Sequence, residues 1–173
     1  MHHNRGMTTK PPTHLPRPLP SNRRLFAIVA VFALLGPALG GLAVSASLAA
    51  FAALPMLADA RWLAAGRTFL TVTLFGTAFG LPIAYVVGLL PAAAVGLAVA
   101  LWDRRTGRLS WPIAAGASLL PWLFIALRTG GDIVTDDEGT QVAQLALLLG
   151  HLAAAIACWW LARAILGRSP PPA

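Results

Sequence analysis

Few side chains in the apolar parts of this chain can do chemistry. His151, in LLLGHLAAAIA, is with Cys158 one of two ordinarily titratable side chains lodged deep in its uncharged run. An ionisable group in such a run is costly, which makes it a functional hypothesis, and an imidazole can relay protons near neutral pH. The plainer reading is a neutral ring hydrogen-bonded to a neighbouring helix. Tyr85, the only tyrosine, stands near the middle of another run, where its hydroxyl needs a partner; pairing with His151 is one option. Thr71, Thr73, Thr77, Ser45, Ser47 and Ser118 supply further hydroxyls of the kind that routinely join helices.

The polar segments offer little more. RTGGDIVTDDEGTQ gathers Asp132, Asp136, Asp137 and Glu138, oxygen ligands suited by type to a divalent cation. Their spacing fits no calcium loop, so a solvated turn is expected and no metal. Cys158 is the single cysteine and cannot close an internal disulfide. There is no Cys-x-x-Cys, no His-Glu-x-x-His, no phosphate-cradling Gly-Lys loop and no nucleophile elbow. These residues predict no catalytic set, no cofactor and no enzyme.

Composition says what must position these groups. Of 173 residues 57% are hydrophobic and 11% charged, against roughly 45–50% and 25% in soluble domains. Charged residues are missing from 25 to 58, 68 to 102, 109 to 127 and 139 to 162. Uncharged apolar runs of about 18 residues or more read as membrane spans. The expected fold is therefore all-α, with four transmembrane helices over about 25–50, 69–101, 109–127 and 142–163. The first run is too long for the core of a cleavable signal, which needs about 7–15 residues, and is read as a retained anchor.

The second run would measure about 50 Å as one helix, where the hydrocarbon core needs about 30 Å. Pro82 and Pro91 each remove a backbone donor, so the helix is expected to be long and kinked there. A broken or re-entrant segment is the alternative. Gly76, Gly80, Ala84, Gly88, Ala92 and Gly96 recur every four residues through this run. Such a smooth stripe lets two backbones approach closely in lipid, and these six residues are the expected helix-packing site.

Outside the spans, MHHNRGMTTKPPTHLPRPLPSNRR holds five prolines and five Lys or Arg, and 1–24 is expected to be a disordered leader, with translation starting at Met1 or Met7. Residues 167–173 form a short tail. If the N-terminus is inside, the inner segments hold ten Lys or Arg and the outer loops three, Arg61, Arg67 and Arg128. The positive-inside rule then places both termini and the 103–108 loop in the cytoplasm. It also explains the net charge of +7 without nucleic acid. Arg104, Arg105 and Arg108, between Trp102 and Trp111, are expected to meet lipid headgroups.

The pattern GLPIAYVVGLLPA at 80 to 92 resembles small uncharacterised polytopic inner-membrane proteins of proteobacteria. The resemblance implies a bacterial inner-membrane location and no active residues. Two functional expectations follow from the residues. One is a non-catalytic helix-packing component or accessory subunit of a membrane assembly, with lipids, a second copy or another membrane protein as partners. The other is a small-solute or proton carrier with a midplane site near Tyr85, Pro82, Pro91 and His151.

Overall fold

The computed structural model describes residues 22–129 and 138–167. Of these, 94% are helical and none is in a strand. The helices are α1 (Asn22–Ala58), α2 (Trp62–Thr106), α3 (Trp111–Thr129) and α4 (Glu138–Leu166), all four long and apolar enough to cross a membrane. α1, α2 and α4 extend past both limits expected from sequence, because a helix continues into polar flanks until a cap or a turn stops it; α3 starts and ends two residues later than expected. Asn22, Arg23 and Arg24, assigned to the leader by composition, form the first turn of α1. Residues 1–21 and the acidic residues Asp132, Asp136 and Asp137 lie outside the described residues.

Glycine ends α2. Gly107 adopts a left-handed φ of 66° and its N–H returns to the Asp103 carbonyl at 2.7 Å. The α1–α2 turn closes with the same chemistry but without glycine. The N–H groups of Ala60 and Arg61 bond the carbonyls of Leu57 and Met56, and Ala60 takes a φ of 57°. That is a Schellman arrangement with alanine in the position that favours glycine.

α2 is helical throughout its 45 residues, Pro82 and Pro91 included. It is one uninterrupted helix, not a broken or re-entrant segment. At about 1.5 Å per residue it is about 67 Å long.

α1 forms the most extensive interface, with α2, and packs next on α4; α3 bridges α4 and α2. The order around the bundle is therefore α1, α2, α3, α4. α1 begins, α2 ends, α3 begins and α4 ends at one basic end. The buried core lies toward that end, where Ile28 and Phe32 of α1 meet Val95, Val99 and Ala100 of α2, Ala114 of α3 and Cys158 of α4. Trp62, Trp102, Trp111 and Trp160 stay exposed near helix ends. Trp159 and Trp122 instead use their indole N–H groups as ties, to the carbonyls of Leu109 and Gln144 respectively.

Candidate functional site

The small-residue register on α2 faces α1 within the same chain. Cβ atoms built at glycine positions show how close the two helices run. One at Gly76 would lie 3.0 Å from Ser45 Oγ, one at Gly88 3.7 Å from Pro37, and one at Gly96 2.8 Å from the Phe32 Cβ and 3.1 Å from the Val29 backbone. From the other side, Cβ atoms at Gly41 and Gly36 would lie 3.2 Å and 3.0 Å from the Ala84 and Ala92 methyls. α4 joins α1 in the same way, since a side chain at Gly150 would run into Val44 and the Gly40 carbonyl. Gly80 departs from the expectation, because nothing lies within 4 Å of a Cβ placed there. A side chain added at Gly80 would enter open space.

That space belongs to a partly open cleft of about 460 Å³ lined by all four helices. Its floor is made of small residues and prolines, among them Gly36, Pro37, Gly40, Gly88, Pro91 and Ala92. Its polar lining side chains are Ser45, Ser118 and His151. The α1–α4 approach of Val44 to Gly150 brings Ser45 and His151 to similar heights on adjacent helices.

Each polar group has a distinct hydrogen-bonding state. His151 Nδ1 lies 2.8 Å from the Leu147 carbonyl on its own helix. In the neutral ring Nδ1 donates, so Nε2 carries the lone pair. Ser118 donates to the Ala115 carbonyl at 2.7 Å, also on its own helix. Ser45 is only 7% exposed and its hydroxyl has no hydrogen-bond partner among the described residues.

The sequence-derived polar pair does not form. Tyr85 donates instead to the Leu34 carbonyl of α1 at 2.6 Å. The carbonyl that Pro37 leaves without its donor is that of Ala33, so the Tyr85 bond is an additional tie between α2 and α1. His151 bonds within α4 rather than to a neighbouring helix, because its position leaves the preceding turn's carbonyl in reach. Of the four residues expected to share a midplane site, His151 and Pro91 line the cleft, whereas Tyr85 and Pro82 do not.

The basic end holds a group that sequence reasoning passed over. Asp103 is 1% exposed and is held by Arg24, with Nε to Oδ2 at 2.7 Å and a second nitrogen to Oδ1 at 3.3 Å. A third Arg24 nitrogen reaches the Leu166 carbonyl at 3.3 Å. One guanidinium thus ties the start of α1 to the ends of α2 and α4, a fork geometry that lysine lacks. The available signal was that Asp103 is the only acid in the segments that the charge count expects to lie inside. Arg105 and Arg108 are exposed beside it and Arg104 is half-exposed. No protein-family model matches the chain, and no curated protein or solved structure is found to match it.

Proposed function

We propose that this chain is a multi-pass protein of the bacterial inner membrane, with both termini and the 103–108 loop cytoplasmic, acting as a non-catalytic component of a membrane assembly. The observation that carries the reading is that the polar groups of the spans are not joined into a relay. Tyr85 and His151 each bond a backbone carbonyl, on different helices, and beside His151 the cleft has only Ser45 and Ser118 as polar side chains among the described residues. A path for a hydrophilic solute or proton needs a succession of polar stations, and one imidazole with two serines is not such a succession.

Bends at Pro82 and Pro91 belong to the same reading, as does headgroup contact by Arg104, Arg105 and Arg108. The small-residue register is consumed by α1, so a second copy or another membrane protein would dock on the outer faces of the bundle. The carrier reading keeps one specific support, the presence of His151 and Pro91 at the cleft. Proton and small-solute flux into liposomes carrying the purified protein distinguishes the two. We expect no flux above empty liposomes; a flux abolished by His151→Ala overturns the non-catalytic reading.

A further inference from the structure

We infer that the cleft is a binding site for an uncharged, hydroxyl-bearing, long-chain lipid such as a long-chain alcohol. The starting point is Ser45, more than nine-tenths buried, lining the cleft and without a hydrogen-bond partner among the described residues. A hydroxyl left unpaired in an apolar interior loses hydrogen bonding that water supplied, and a serine on a helix normally recovers it from the preceding turn. Ser118 does recover it, and Ser45 does not.

Ser45 and His151, at similar heights on adjacent helices, select the head of the ligand. Ser118 spends its proton on Ala115 and a neutral His151 its Nδ1 proton on Leu147, so in that state both offer only lone pairs. Ser45 can both donate and accept. A hydroxyl, which donates and accepts in turn, complements this set. A ketone could use Ser45 alone, and a carboxylate or ammonium would sit among lining residues that include no Asp, Glu, Lys or Arg.

The remaining lining selects the tail. From the level of Ser45 the cleft continues along α1 to Phe32, about 20 Å at 1.5 Å per residue, over a floor free of polar side chains. Glycines and alanines keep that floor smooth. The cleft sits among helices apolar enough to cross a membrane and is partly open, so a lipid chain can enter from the bilayer without crossing water.

The test uses the full-length protein in phosphatidylcholine nanodiscs and a long-chain alcohol carrying a photoreactive diazirine. Label is expected on α1 and α2 peptides that line the cleft. The unlabelled alcohol should compete at least about tenfold better than the chain-matched methyl ketone or alkane, the discrimination of roughly one good hydrogen bond. Ser45→Ala removes the donor that alcohol and ketone share, so it should shrink the preference over the alkane while leaving the alcohol ahead of the ketone. Gly80→Phe, placed where no atom lies within 4 Å of the new Cβ, should abolish cleft labelling while the thermal transition of the protein is kept.

Equal competition by alcohol, ketone and alkane overturns the hydroxyl-specific site. So does labelling that spreads over outward-facing side chains and is unchanged in Gly80→Phe. The inference shares with the proposed function only its membrane setting. Cleft labelling accompanied by a His151-dependent flux would sink the non-catalytic reading and leave the site standing; absent labelling without flux would do the reverse.

Discussion

Arg24 and Asp103 carry the largest single-residue consequence in this protein. Removing one member of a buried ion pair leaves the other charge without compensation, at a cost of roughly 3–5 kcal/mol, whereas replacing both by apolar residues is often close to neutral. Asp103→Ala is therefore expected to lower stability by about 3 kcal/mol, and the Arg24→Leu/Asp103→Leu double variant by clearly less. Denaturation in mild detergent measures both; a double variant worse than the single would show that the pair is not coupled as the geometry implies. A smaller effect of opposite sign belongs to Ala60. Its φ of 57° is the conformation in which a Cβ is penalised. Ala60→Gly should raise the thermal transition, by up to about 1 kcal/mol of stability.

The element that decides packing is α2, whose tolerance to substitution should vary along one register. At Gly96 a side chain meets the Phe32 Cβ and the Val29 backbone, neither of which can swing away. Gly96→Leu should cost at least about 1–3 kcal/mol, the range for overpacking. Gly80→Leu, four turns or so toward the other end, enters open space and should be tolerated, as should a leucine at the exposed Val87. Equal sensitivity at Gly96 and Gly80 in a thermal-shift series would contradict the cleft. Tyr85→Phe tests the link to α1 independently. It withdraws the donor from the Leu34 carbonyl and should lower stability by about 0.6–1.7 kcal/mol, the range for one interhelical hydrogen bond in a membrane protein.

For the whole molecule, the proposed orientation rests on ten Lys or Arg in the inner segments against three in the outer loops. Reporter fusions after Arg105 and after Ala60 are expected to report opposite compartments, cytoplasm and periplasm respectively; the same side for both would overturn the topology. The bundle adds a reason for that arrangement. Its basic end is also the end at which Arg24 gathers α1, α2 and α4, so the residues that set orientation lie beside the clamp that joins the helices.

What the sequence determined by itself was the number and kind of elements. Uncharged runs of hydrophobic residues leave backbone groups no partner in lipid except their own helix, so four helices follow from composition alone. The four-residue register of Gly76, Ala84, Gly88, Ala92 and Gly96 was legible for a related reason, since periodicity places residues on one face whatever the partner. Which face met it was decided only by the tertiary structure, because Gly36 and Gly41 of α1 and Gly80 of α2 look equally suited to close contact until the crossing of two helices sets the first two against Ala92 and Ala84 and leaves the third open. The same holds for polar groups. Tyr85, His151, Ser45 and Asp103 are all visible as costly residues in a nearly uncharged chain, but a hydrogen bond depends on distances of about 3 Å between helices. Only packing could assign Leu34, Leu147 and Arg24 as partners and leave Ser45 with none among the described residues.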